Sequence, residues 1–160
     1  MSEYTFRPMT KADYPMFSHW LDQPHIEGWW QEGATELRLI EDDLKTGLVD
    51  MQIAELGGTP FAFIQDYNAH AFGAPHYLDY NKDARAVDTF LGDSTFLGKG
   101  HGAGYIGARI AELRKSYPLV IVDPETRNTR AIAAYARAGF RKDKPATCED
   151  GTPVQIMTYS

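Results

Sequence analysis

Phe96-Leu97-Gly98-Lys99-Gly100-His101-Gly102 runs directly into Ala103-Gly104-Tyr105-Ile106-Gly107-Ala108-Arg109-Ile110-Ala111-Glu112-Leu113, and this passage decides how the rest of the chain is read. Ile106, Ile110 and Leu113 fall on one side of a helix predicted from Gly100 to about Lys115, so the glycine turn sits at that helix's start. A turn of glycines opening a helix presents backbone N–H groups and a partial positive charge to an anion such as a phosphate. Gly102, Gly104 and Gly107 would also let a strand or a ligand come close. Downstream, Leu119-Val120-Ile121-Val122 reads as a short buried parallel strand, and Arg127 to Ala138 as a helix stopped by Gly139.

Upstream, Tyr4 to Met9 reads as a first strand, and Thr10 with Asp13 has capping-box spacing for a helix reaching about Leu21. A second helix is expected over Thr35 to Leu44. Val49 to Glu55 and Pro60 to Tyr67 flank Gly57-Gly58 as a hairpin would. Residues His70 to Asp83 show no clean period and read as a connection long enough to serve an active site. Arg85 to Leu91 reads as a central strand with Ala86, Asp88 and Phe90 on one face and Val87, Thr89 and Leu91 on the other. From Phe140 the chain returns to strand, turns at Glu149-Asp150-Gly151 and ends on a strand from Val154 to Tyr159. The order of elements predicts an α/β (α+β) fold, a mixed sheet with one parallel crossover, forming a single domain over 1–160.

Composition bounds the function. With 160 residues, 43% apolar and 12% aromatic, the chain can bury one core and has no room for a second domain of typical size. No apolar run approaches the ~20 residues of a membrane span, and Met1-Ser2-Glu3-Tyr4 does not begin a secretory signal, so a cytoplasmic protein is expected. The single cysteine, Cys148, excludes an internal disulfide and a cysteine-based zinc site, and reads as an ordinary thiol near a turn. A net charge of −6 argues against non-specific nucleic-acid binding and suits a cationic substrate. His70, His76 and Asp79 do not match a metal-ligand spacing, so no metal is expected.

The glycine turn together with Asn128-Thr129-Arg130-Ala131-Ile132-Ala133-Ala134-Tyr135-Ala136-Arg137-Ala138-Gly139-Phe140 resembles the acyl-CoA-binding core of the GNAT N-acetyltransferases. The likeness covers nearly the whole chain. Arg7 to Asp13, Trp20-Leu21 and Pro24 to Trp30 are similar to the opening of the aminoglycoside 6'-N-acetyltransferases, and also to the acetyltransferases of hydroxamate siderophore synthesis. Arg85 to Asp88, Gly98 to Gly100 and Val122 to Phe140 are more similar to the former.

The resemblance implies that two central parallel strands splay around the pantetheine of acetyl-CoA, with helices flanking the sheet. It places the pyrophosphate on Leu97, Gly98, Lys99, Gly100, His101 and Gly102, with Asn128 and Ala131 also on the cofactor side. Lys99 and His101 would add charge or polar contacts there, or stand as solvated loop side chains. The reaction is attack of a neutral amine on a thioester through a ternary complex.

Tyr135 is implied as proton donor to the leaving thiolate. Because a phenol of pKa ~10 is a weaker acid than a thiol of ~8.5, full transfer is uphill by roughly 2 kcal/mol, and a hydrogen bond to sulfur is expected rather than early transfer. Asp88 is the catalytic and substrate-side carboxylate, either taking the proton or holding the ammonium. Its alternative is a structural pairing with Arg85 or a backbone turn. Asp123 is a second substrate-side acid, with N-capping of the Arg127 helix region as its alternative. Trp30 and Tyr67, with Trp29, Phe72 and Tyr77, are candidate walls of the amine pocket, or core and loop packing.

One departure bears on the acceptor. Where the aminoglycoside-modifying members carry Asp-Gly-Trp-Trp and several glutamates, this chain has Gly73-Ala74-Pro75-His76-Tyr77-Leu78-Asp79-Tyr80, and Gly73 stands at the loop aspartate. Asp66, Asp79 and Asp83 are the carboxylates available to compensate. The expected partner is a small amine, aminoglycoside-like or instead a siderophore hydroxylamine precursor or a polyamine. A non-catalytic acyl-CoA sensor is the alternative of a different class, and the sequence leaves the oligomeric state open.

Overall fold

The computed structural model describes residues 3–160; Met1 and Ser2, where the reading of the amino terminus began, lie outside the described residues. Strand β1 (Tyr4–Pro8) pairs antiparallel with β2 (Val49–Leu56), Phe6 opposite Ala54. Between them a 3-10 turn at Lys11–Asp13 leads into α1 (Tyr14–Leu21). The Asp13 carboxylate accepts the Thr10 backbone N–H at 2.9 Å, as the capping-box spacing predicts, and also two Arg7 N–H donors at 2.8 Å each. The Arg7 hydrogen bonds hold the Asp13 carboxyl below its ordinary range.

Helix α2 (Gly33–Thr46) is longer than predicted at both ends and stops on Gly47, whose φ of 70° suits the left-handed cap position. β2 turns into β3 (Thr59–Asn68) through Gly57 and Gly58 at φ 58° and 83°, the two positive values a tight hairpin turn requires.

Next come β4 (Arg85–Leu91), α3 (His101–Leu113), β5 (Val120–Val122), α4 (Thr129–Ala138), β6 (Arg141–Thr147) and β7 (Pro153–Tyr159). The strand order in the sheet is β1-β2-β3-β4-β5-β7-β6. β4 and β5 run parallel, with Arg85 opposite Val120 and Ala86 opposite Ile121, and α3 lies in the connection between them. This ladder stops at Ala86 although β4 continues to Leu91, because β5 is only three residues long. The mixed sheet with one parallel crossover is therefore the observed architecture.

Contacts divide the chain into two compact units, one holding the residues up to Gln65 with Asp88–His101, the other Asp66–Val87 with Gly102–Ser160. The first has an aromatic core: Phe17 meets Phe63 at 4.9 Å and Phe90 at 5.6 Å between ring centres, and Trp30 meets Phe90 at 5.0 Å. Gly92 is required there, because a Cβ at this position would stand 2.2 Å from the Trp20 ring.

The second unit packs Ala69, Ala74, Tyr77, Ala84, Ala86, Ile121, Val154 and Ile156 together. The connection read over 70–83 is partly core: it forms a 3-10 turn at Pro75–Tyr77 and buries Ala74 and Tyr77, since one small residue and one ring can pack without a regular period. On α3, Ile106, Ile110 and Leu113 are buried as their spacing predicts. Gly102 has nothing within 4 Å of a Cβ and Gly107 only the Ala138 carbonyl oxygen at 3.9 Å, so among the described residues no other segment crowds these two glycines. At the β6–β7 turn, burial and a hydrogen bond to Asp150 push the Cys148 thiol up, which leaves it a poor nucleophile.

Candidate active site

The glycine turn has the conformation its composition predicts. A short 3-10 segment, Ser94–Phe96, is capped by Asp93, which accepts the Thr95 N–H at 2.9 Å. Gly98 and Gly100 then take φ of 72° and 81°, open to glycine and strained for other residues. Among the described residues the N–H groups of Gly98, Lys99 and Gly100 donate to no acceptor, and α3 begins at His101 with first-turn N–H groups that no helix can satisfy internally. A Cβ at Gly98, Gly100 or Gly102 would meet nothing within 4 Å. Open N–H groups at a helix start fit the pyrophosphate of coenzyme A.

Lys99 is exposed and solvated. His101 is not: its Nδ1 lies 2.9 Å from the Tyr4 hydroxyl, and its ring sits 5.3 Å from that of Phe96. Nothing in the sequence links Tyr4 to His101, which lies 97 positions away.

Asp88 is half-buried on β4, where the Gln65 side-chain amide donates to its Oδ2 at 3.0 Å. Pairing with Arg85, the structural alternative, is not what forms. Arg85 Nε donates instead to Asp66 Oδ2 at 2.6 Å, and Arg109 Nη2 donates to Asp66 Oδ1 at 3.1 Å. Asp66 is 1% exposed with both oxygens taken by guanidinium groups, so it cannot stand in for the missing loop aspartate. Asp79 pairs with Lys144 at 3.3 Å, and Asp83 is exposed. Of the three compensating carboxylates named from sequence, one is locked in the core and one carries a lysine.

On α4, Asn128 is the N-cap, its side-chain oxygen accepting the Ala131 N–H at 3.1 Å. The two residues expected on the cofactor side are thus joined in one cap, and the capping role offered as the alternative for Asp123 belongs to Asn128. Asp123, at the end of β5, is instead paired with His76, whose Nε2 lies 2.8 Å from Oδ2. The partnership spans 47 positions and leaves no local trace in the sequence. Tyr135 is 7% exposed, and its ring meets Phe140 edge-on at 5.5 Å. Gly139, at φ 112°, ends the helix as expected.

The candidate aromatic walls differ in burial. Trp30 is half-buried against Phe63 and Phe90, while Trp29 is exposed. Tyr67 stands edge-on to the exposed Phe72 at 5.4 Å, and Tyr77 is a core residue. His70 is bound through Nε2 to the Tyr80 carbonyl at 2.9 Å. No described helix is long and apolar enough to cross a membrane.

Residues 9–148 match the family model described as the acetyltransferase (GNAT) domain. The aminoglycoside N(6')-acetyltransferase type 1 of Klebsiella pneumoniae is 30% identical over 164 aligned positions, which cover 96% of this chain and 81% of that protein. The structure of AAC(6')-Ib in complex with paromomycin and acetyl-CoA superposes with a TM-score of 0.87 at 30% identity, covering 99% of this chain and 94% of the other. The same enzyme with coenzyme A and kanamycin gives 0.86, also at 30% identity, over 98% and 94% of the two chains.

Proposed function

Because the chain belongs to the GNAT acetyltransferase family, we propose that it acetylates a primary amine of an aminoglycoside-type acceptor, the 6'-amino group, by direct attack in a ternary complex. The observation that carries this reading is the 30% identity, over nearly all of this chain, to an enzyme solved with an aminoglycoside and acetyl-CoA. On the same reading residues 1–160 are one acetyltransferase domain, working in the cytoplasm on a small-molecule amine.

The residues present fit the cofactor. The N–H groups from Gly98 to Gly102 hold the pyrophosphate, the Leu97 N–H expected among them being taken by the Ser94 carbonyl at 3.2 Å; His101 is fixed beside them by Tyr4, and the Asn128–Ala131 cap shapes the start of α4. Acetyl-CoA, when bound, supplies the activated acetyl group. Asp88 holds the incoming ammonium or takes its proton, and Asp123 gives the acceptor a second carboxylate. Trp30 and Tyr67 offer aromatic faces to it. Tyr135 donates its phenolic O–H to the departing sulfur; a phenol weaker as an acid than the thiol completes the transfer only late, as the product leaves.

A second acceptor class, a smaller amine such as a hydroxylamine precursor or a polyamine, is favoured by one observation: Gly73 stands at the loop aspartate, and Asp66 is engaged by two arginines. Thiol release from acetyl-CoA against kanamycin-type aminoglycosides, polyamines and hydroxylamines separates the two. Rapid release with aminoglycosides supports the first, and release only with another class replaces the acceptor. Acetyl-CoA binding without release on any amine points to a sensor. Tyr135→Phe, which keeps the ring on Phe140, is expected to lower turnover about 100-fold with an unchanged melting temperature. Unaltered turnover on every amine would remove the acid role.

A further inference from the structure

The carboxylate of Asp123 does not stand open to an acceptor on both oxygens. His76 Nε2 reaches Oδ2 at 2.8 Å from a side chain that is 5% exposed, while the Asp123 side chain is 23% exposed. Among the described residues His76 is the partner of this carboxylate, which leaves Oδ1 as the oxygen for a ligand. Both sides of the contact are held in place. His76 follows Pro75 in a 3-10 turn whose next residue, Tyr77, is 1% exposed, and the two rings lie 4.2 Å apart. Asp123 follows the buried Val122 and precedes Pro124, whose carbonyl accepts the Gln155 N–H at 2.8 Å. An imidazole held this way cannot swing clear without unpacking its turn, so an incoming amine meets a carboxylate already half engaged.

We infer that His76 is a specificity-determining residue of the acceptor site: by covering Oδ2 of Asp123 it leaves Oδ1 for the acceptor, and so favours amines that bring a single ammonium to this carboxylate over those that bring two. The inference rests on the acetyl-transfer reading above. It is reinforced by Asp66, whose charge is answered by Arg85 and Arg109 and which therefore offers nothing to a second ammonium in the same unit. His76 acts through Asp123 by position and takes no proton from the substrate.

The test compares neamine, which carries several ammonium groups, with methyl 6-amino-6-deoxyglucopyranoside, which presents the same kind of primary amine alone. The readout is the ratio of their kcat/KM values for the native enzyme, His76→Phe and His76→Gln. His76→Phe fills the space without a donor and is expected to raise the neamine preference at least fivefold, whereas His76→Gln, which keeps an N–H donor, stays within twofold of the native ratio. A ratio within twofold of native in His76→Phe, or an equal shift in both variants, overturns the inference. If His76→Phe does not fold, the ring nitrogen resonances of His76 in the native protein decide. They are expected to shift on addition of either amine, and no shift with either overturns the inference. Absence of thiol release with any amine would instead sink the acetyl-transfer reading, and the resonance measurement still judges His76.

Discussion

Asp66 and Asp123 belong to the same compact unit, yet the fold treats their carboxylates in opposite ways. Asp66, on β3, is 1% exposed and meets two guanidinium groups. Asp123, at the end of β5, keeps 23% of its side chain exposed and meets one imidazole. A carboxylate answered on both oxygens by permanent cations is structural, because a ligand ammonium has nothing left to neutralise. One met on a single side by a histidine can still receive an amine, and the histidine decides how much of it is offered. Acidic residues in an amine-binding fold therefore have to be sorted by partner and burial before a substrate role is given to any of them.

The comparison breaks most visibly at Asp66. Asp66→Asn leaves Arg85, with its side chain 16% exposed, without its carboxylate partner and Arg109 with Glu112 alone, and is expected to cost about 3 kcal/mol of folding stability. A melting temperature within a degree or two of native would mean that Asp66 is not the structural member of the pair. Asp123→Asn keeps an oxygen towards His76 but removes the charge, so the fold should hold while acceptor KM rises roughly tenfold, equivalent to about 1.5 kcal/mol. Steady-state kinetics with acetyl-CoA saturating measures this, and an unchanged acceptor KM would take Asp123 out of the acceptor site.

Two further carboxylates sharpen the contrast through pH. Asp13 is held below its ordinary range chiefly by Arg7, so its contribution is present above the unfolded value of ~4 and is lost as pH falls through the lower folded value. Because the Arg7 side chain is 36% exposed, solvent screens the pair, and Asp13→Asn should cost about 1 kcal/mol at pH 7. Urea unfolding at pH 7 and pH 2 checks the sign: the difference from native should shrink at the lower pH.

Glu36 runs the other way. Burial pushes its carboxyl up while one oxygen accepts the Gln31 N–H at 3.1 Å, so the stability it supplies is present below the unfolded value of ~4.3 and is lost as pH rises through the raised folded value. Glu36→Gln keeps the acceptor and should be neutral or stabilising by up to about 1 kcal/mol at pH 7 in the same urea titration. A clear destabilisation there would mean the ionised carboxylate is what the fold needs.

Much of the fold was legible because its signals are local. The Gly57-Gly58 hairpin, the Asp13 cap, the glycine turn before α3 and the Gly139 stop each depend on residues within a few positions of one another, and each formed where expected. The connection over 70–83 is a connection as expected, but its partial burial was not legible, because it comes from scattered residues, Ala74 and Tyr77, that make no period. The candidate site was legible in its backbone parts and not in its pairings. Nothing near Asp123 announces His76, and nothing near Arg85 says that it will choose Asp66 across 19 positions rather than Asp88 on its own strand. On a strand, positions 85 and 88 point to opposite faces, which a stricter count of the alternation would have exposed.

The sequence by itself determined the order of elements, the parallel crossover, the glycine turn before α3 and the glycine that stops α4, because backbone dihedrals and helix ends answer to neighbours along the chain. The tertiary structure alone decided which acids are free for chemistry. An ion pair is settled by proximity in space and by burial, and the partners that settled these, Arg109 for Asp66 and His76 for Asp123, lie 43 and 47 positions away.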